Sequence, residues 1–150
     1  MTQPMITQQR GTFSLACRVN VNVRASAARI WALLTDAQAY PRWNSTVTRI
    51  EGEIREGATL RVHVPGTDRT FTPRVSNMVD CERMTWTGGF MPVFKGVRTF
   101  ELRSNGDNSV EFIMAERFSG LMLLLVKQSL PDFGPIFAQY ARDLKREAER

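Results

Sequence analysis

The 150-residue sequence has one histidine, His63, and two cysteines, Cys17 and Cys81. A metal centre made of several His or Cys ligands cannot be assembled from this inventory. A Ser-His-Asp or Cys-His catalytic arrangement would have to use His63. Two cysteines this far apart do not make a disulfide framework, and both read as free thiols of a cytoplasmic protein. Lysine is scarce too: 17 of the 20 basic residues are Arg and 3 are Lys, spread along the chain without a basic run. The net charge of +5 therefore reads as scattered surface arginine, and no nucleic-acid partner is expected. The densest patch, Arg142, Lys145, Arg146 and Arg150, alternates with Asp143, Glu147 and Glu149 and reads as a solvated helix face. Long apolar runs are missing. The longest, Leu121 to Val126, would span about 9 Å as a helix against a hydrocarbon core of about 30 Å, so stable membrane insertion is not expected. Met1 to Gly11 is polar and lacks the apolar core of a signal peptide.

What is present fits one domain with one core, burying roughly 70% of its unfolded surface. Residues 1–11 read as a disordered arm and 12–149 as a single domain. Phe13, Leu15, Cys17, Val19, Val21 and Val23 alternate with polar residues, the period-two signature of a half-buried strand. Ser26 offers an N-cap to a short helix with the apolar stripe Ile30, Trp31, Leu33 and Leu34. Thr35 and Asp36 end that helix, and Asp36 reads as the cap of a second, shorter one. Pro41 stops it, leaving Tyr40 to Asn44 as a loop whose Tyr40 and Trp43 pack rather than gate. From Val47 to Phe118 strands follow one another. Turns are expected at Glu56-Gly57, Pro65 to Asp68, Asp80-Cys81-Glu82 and Ser104 to Asp107. His63 falls on the outer face of its strand, a poor catalytic position. After Phe118-Ser119-Gly120 the pattern turns helical, with Ser119 as a cap and Gly120 allowing close approach. Pro131 and Pro135 interrupt the helix near Leu130 and supply a hinge. Phe133, Ile136, Phe137, Tyr140, Ala141 and Leu144 then share one helical face.

The expected fold class is α+β: a curved, seven-stranded antiparallel sheet, two short helices after the first strand, and a long C-terminal helix over the apolar face. Several segments carry a resemblance. They are Val23, Ala25, Trp31, Leu34 and Asp36; Tyr40-Pro41-Arg42-Trp43-Asn44; Thr70 to Val75; Met84 to Gly88; Gly96; Phe100-Glu101-Leu102; Glu116 to Gly120; and Leu144 to Glu149. In this order, over residues 12–149, the chain resembles the SRPBCC superfamily of START lipid-transfer domains, polyketide cyclases/dehydratases and birch-pollen-allergen-like proteins. Within it, the pattern is nearest to bacterial members whose function is not established. The resemblance implies a helix-grip fold with a cavity between sheet and C-terminal helix and a hydrophobic ligand; no cofactor or metal is expected.

Counting by two places Arg98 among Phe94, Gly96, Phe100 and Leu102, and Glu116 among Val110, Phe112, Met114 and Phe118. Two charges in interior registers need partners, water or a ligand. One reading makes Arg98 an anchor for a carboxylate or carbonyl, with Glu116 as its counter-charge. The other pairs them with each other at a sheet edge or solvated rim. Trp86, Phe90, Phe94, Phe100, Phe112, Met114, Phe133, Phe137 and Tyr140 would line the cavity with them. An empty cavity of ~300 Å³ would cost on the order of 7 kcal/mol, comparable to total stability, so it should be small, wet or occupied. The function read first is binding or transport of a lipid-like or aromatic, polyketide-like molecule. An alternative is a cyclase/dehydratase-type enzyme with Glu116 and Tyr140 as acid/base candidates and Arg98 stabilising an enolate. A third is a co-chaperone-like domain, or a homodimer, using the apolar stretch from Leu121.

Overall fold

The computed structural model describes residues 3–68, 70–90, 92–126, 130 and 132–150, with the backbone alone at Phe90. Among the described residues, nine strands form two antiparallel sheets. The larger has the order β1-β2-β9-β8-β7-β6 and the smaller β3-β4-β5. The large sheet is made of β1 (Met5–Arg10), β2 (Ser14–Val23), β6 (Arg74–Val79), β7 (Arg83–Phe90), β8 (Phe94–Ser104) and β9 (Val110–Ser119). The small one is made of β3 (Arg49–Glu51), β4 (Arg61–His63) and β5 (Thr70–Phe71). The described residues also form four α-helices: α1 (Ala27–Thr35), α2 (Tyr40–Trp43), α3 (Leu123–Val126) and α4 (Phe133–Ala148). The α+β architecture and the C-terminal helix are as expected, and the main sheet has six strands, close to the expected seven. Pro73 has no N–H to donate and separates β5 from β6, so the ladder is interrupted there. The Thr59–Arg74 bridge and the bond from Leu60 N–H to the Pro73 carbonyl link the two sheets across that break.

The disordered arm expected over 1–11 is corrected at residues 5–10, which pair with β2 from Met5–Asn20 to Arg10–Leu15. A mostly polar segment becomes an edge strand because β2 supplies its hydrogen bonds, a long-range condition invisible in the local pattern. Two prolines are also placed differently. Pro41 lies in the first turn of α2 and Pro135 in the first turn of α4, where backbone N–H groups have no intrahelical acceptor to lose. The expected loop at Tyr40 to Asn44 is thus a helical turn. A break does separate α3 from α4; Pro131, the expected hinge, lies outside the described residues.

Capping follows the sequence in part. Ser26 Oγ accepts from Arg29 N–H at 3.1 Å. Asp36 stands at the cap position of a 3₁₀ turn (Ala37–Ala39) but makes no side-chain cap bond; its carbonyl accepts from Ala39 instead. Asp132 caps α4 by accepting from Gly134 N–H at 3.0 Å. Ser119 ends β9, paired with Ser14 and Lys95. Gly120 does allow close approach, though to backbone: at φ 123°, a Cβ there would lie 2.5 Å from the Val93 carbonyl oxygen.

Helix α4 packs on β2 and β1. Phe137, Tyr140, Ala141 and Leu144 are buried and Phe133 half-buried, whereas Ile136 is exposed at the edge of the stripe. Each fully buried large side chain contributes roughly 1.5–3 kcal/mol. The opposite face is less solvated than the charge pattern suggests. Asp143 is buried and accepts from Ser45 N–H (2.8 Å), Ser45 Oγ (2.6 Å) and Gln139 Nε2 (2.8 Å). Arg29 donates to the carbonyls of Ala148 and Glu147, closing the last turn. The helix is therefore clamped on a second side by α1 and the segment after α2.

Candidate functional site

Residues opposite one another in antiparallel strands point to the same face. One row across the large sheet is Gln8, Cys17, Glu116, Arg98, Trp86 and Val75. It runs over the concave face, beneath α4. The next row on one side is Val19, Met114, Phe100 and Met84. The next on the other side is Leu15, Phe118, Gly96 and Gly88. The charged row thus divides a wholly apolar half of the face from a half where two glycines stand side by side.

Arg98 and Glu116 face each other directly on β8 and β9. Arg98 Nε donates to Glu116 Oε1 and Nη2 to Oε2, both at 3.2 Å, a bidentate pair. Their side chains are 22% and 13% exposed. The guanidinium carbon lies 5.1 Å from the centre of the Phe137 ring. Burial works against the charge of Arg98, but the Glu116 carboxylate outweighs it and raises the pKa above the usual arginine value. The two residues do pair with each other. They sit on the two central strands rather than at an edge, inside the concave face.

The aromatic set divides into two groups. Phe100, Phe112, Met114, Phe137 and Tyr140 are buried and touch one another; Phe112 stacks on Tyr140 at 6.1 Å and Phe100 lies 6.3 Å from it. Tyr40 and Trp43 join this group from α2, with rings 4.9 Å apart. The Tyr40 hydroxyl donates to the Leu34 carbonyl at 2.9 Å, so the Tyr140 hydroxyl donates to Tyr40 at 2.9 Å. Burial holds both hydroxyls well above the usual tyrosine pKa. Tyr140 is thereby placed in the packed core, its proton engaged, at a distance from the acid/base role the catalytic alternative needs. Phe94, Phe118 and Phe133 form the second group. They are half-buried and stacked, Phe94 on Phe118 at 5.7 Å and Phe118 on Phe133 at 5.0 Å. Trp86 lies between the groups, 4.9 Å from Phe100. The side chain of Phe90 lies outside the described residues.

A side-chain carbon added to Gly88 would meet nothing nearer than the Pro73 Cα at 4.0 Å. Beside this end, Val93, Leu121, Met122, Leu124 and Leu125 are exposed, Leu125 by 78%. Backbone bonds from Leu121 to Pro92 and from Met122 to Val93 hold that apolar surface against the β7–β8 turn.

Three observations were not foreseen from the sequence. A surface groove of about 430 Å³ lies between the 3₁₀ turn and β3, lined by residues that include Gln38, Pro41, Arg49 and Glu51. Its Glu51 accepts from His63 Nε2 at 2.7 Å and sits near Arg49 and Arg61; the His63 bond leads in lowering its pKa. His63 is half-buried there, on the outer face as expected. The third is the burial of Asp143 described above. The thiols are free, Cys17 buried with its pKa raised by burial, Cys81 in the β6–β7 turn at φ 63°. Among the described residues no group of three or more His, Cys, Asp or Glu could hold a metal ion, and no helix is long and apolar enough to cross a membrane.

Residues 15–149 match the family model described as polyketide cyclase/dehydrase and lipid transport. A START superfamily protein from Mycobacterium smegmatis superposes with a TM-score of 0.65 at 19% identity, covering 89% of this chain and 97% of that one. Norcoclaurine synthase from Thalictrum flavum, in complex with a transition-state analogue, gives 0.68 at 18%, covering 93% and 97%. A conserved protein of unknown function from Enterococcus faecalis gives 0.70 at 16%, covering 96% and 77%. At these identities the likeness is one of fold. No curated protein matches the sequence.

Proposed function

The chain belongs to the polyketide cyclase/dehydrase and lipid-transport family, and we propose that it binds a small hydrophobic molecule with one polar end. The ligand lies between the sheet and α4 at the half-open end of the concave face. The observation that carries this reading is the Arg98–Glu116 pair, a bidentate ion pair set in an apolar face beside two adjacent glycines. A charge pair costs desolvation wherever it is buried, and a hydrophobic pair of similar volume is often as stable or more so. A polar ligand group gives the pair a use that packing alone does not. Phe94, Phe118 and Phe133 then cover the apolar body of the ligand, and the exposed surface of α3 borders its way in. The protein acts in this reading as a carrier or binding protein of the cytoplasm, with both thiols free.

Native mass spectrometry tests this, first on the protein as purified and then after incubation with a panel of fatty acids and aromatic acids and ketones. A one-to-one complex with at least one panel member is expected in the wild type. Gly88→Val, which adds side-chain carbons to the row beside that of Arg98, and Arg98→Met should each weaken it tenfold or more. Absence of any complex across the panel overturns the reading, as does binding that both variants leave unchanged.

A further inference from the structure

Trp86 is 5% exposed, and its indole N–H has no hydrogen-bond partner among the described residues. Buried donors without an acceptor are rare, and each costs about 1–3 kcal/mol when left unmade. An indole can only donate. The side chains around it in the rows of the concave face offer no oxygen or nitrogen acceptor: Val75 and Phe100 are hydrocarbon, Met84 has only a weakly accepting thioether, Gly88 has none, and Arg98, directly opposite, is itself only a donor. The nearest carboxylate in the row, Glu116, is one strand further and holds Arg98 through two bonds. Arg98 has five N–H groups, and those two bonds use two of them. Donors from two neighbouring strands therefore share one row of the sheet, next to the row that holds Gly88 and Gly96.

From this juxtaposition we infer that Trp86 is a specificity-determining residue: its indole N–H and the remaining N–H groups of Arg98 together read an sp² oxygen, so the ligand enters with a carbonyl or carboxylate at its buried end. The inference rests on the binding reading of the same site and adds the ligand class and the residue that selects it. A carbonyl or carboxylate oxygen has two lone pairs in one plane, accepts from both donors at once and brings no donor of its own. A hydrocarbon end would leave both unmatched. An ammonium end would set like charge against Arg98. The molecule contains a built-in contrast. Trp43 Nε1 and Asn44 Nδ2 are also buried without partners. They lie where the rings of Tyr40, Trp43 and Tyr140 pack within 6.4 Å of one another. At Trp86 the unpartnered donor stands directly opposite Arg98 instead.

The test uses three ligands of nearly equal shape: 2-naphthoic acid, 2-acetylnaphthalene and 2-isopropylnaphthalene. Titration is followed by the ¹⁵N-indole signals of the full chain, the Trp86 signal being the one missing in Trp86→Phe. The acid and the ketone should move the Trp86 N–H proton signal downfield, and the hydrocarbon should not; this readout needs no variant for binding. Trp86→Phe should weaken the acid and the ketone about five- to tenfold and leave the hydrocarbon within twofold. If all three ligands bind and Trp86→Phe affects them equally or not at all, the inference fails while the binding reading stands. If none of the three binds at millimolar concentration, and none of the wider panel forms a complex, both fail together.

Discussion

The two ends of the concave face contain the same kind of atom in different surroundings. Near α2, Trp43 presents an indole N–H without an acceptor, and rings close around it: Tyr40 at 4.9 Å and Tyr140 at 5.9 Å. Near α3, Trp86 presents another, and beside it lie a charge pair, two glycines and half-buried rings. At the closed end the tyrosine hydroxyls use their protons on protein atoms, and the aromatic surface is used up in packing. At the other, half-buried rings border a charge pair and an unpartnered N–H on the inner face. The same residue types serve stability in one place and recognition in the other. What separates them is the neighbouring side-chain volume.

That contrast can be broken by mutation. Tyr140→Ala removes a fully buried ring and a hydrogen bond at the closed end and should cost about 3–5 kcal/mol in urea unfolding. Phe133→Ala, at the half-open end, should cost less than half of that; equal losses would erase the distinction. Arg98→Met leaves Glu116 largely buried without its partner. Since the pair is partly exposed, the cost should be about 1–3 kcal/mol, below that for a fully buried pair. A second change, Glu116→Leu, should restore most of it while leaving ligand binding impaired. A charge pair kept for stability would not be rescued this way.

The closed end should also show itself at high pH. Tyr40 and Tyr140 have their pKa values raised by burial. Their contribution is fully present below the unfolded tyrosine value of about 10 and is lost as pH rises from there towards the folded values. Stability should therefore fall above pH ~10, and the Tyr40→Phe/Tyr140→Phe double variant should fall less steeply, by about 1–3 kcal/mol per pH unit. Parallel pH profiles would mean that the hydroxyls are not buried in solution. The smallest effect is expected on the surface of α3. Leu125→Glu should change stability by no more than about 0.5 kcal/mol. In a size-exclusion concentration series it should elute as the wild type does. Loss of a wild-type self-association would mean that the half-open end is an interface rather than a mouth.

Much of the site was legible before the fold was known. Alternation along β8 and β9 put Arg98 and Glu116 on the inner face, because a strand's side chains alternate whatever it pairs with. The helical stripe Phe137, Tyr140, Leu144 was legible for the same local reason. The polar pattern of its helix face predicts a solvated Asp143, and only the arrival of Ser45 from 98 positions away buries it. Met5–Arg10 carries too little apolar pattern to announce a strand and becomes one by pairing with β2. The prolines at 41 and 135 were read as breakers, yet the first turn of a helix tolerates them.

Scarcity of His, Cys and Lys, one apolar core, and the inward registers of the charge pair follow from the sequence alone, because composition and side-chain periodicity are local properties. The direct pairing of Arg98 with Glu116, the unpartnered N–H of Trp86 beside Gly88, and the hydroxyl contact between Tyr40 and Tyr140 across 100 residues were decided only by tertiary structure. Strand register and helix docking are set by contacts between distant segments, and no local periodicity encodes which neighbour arrives.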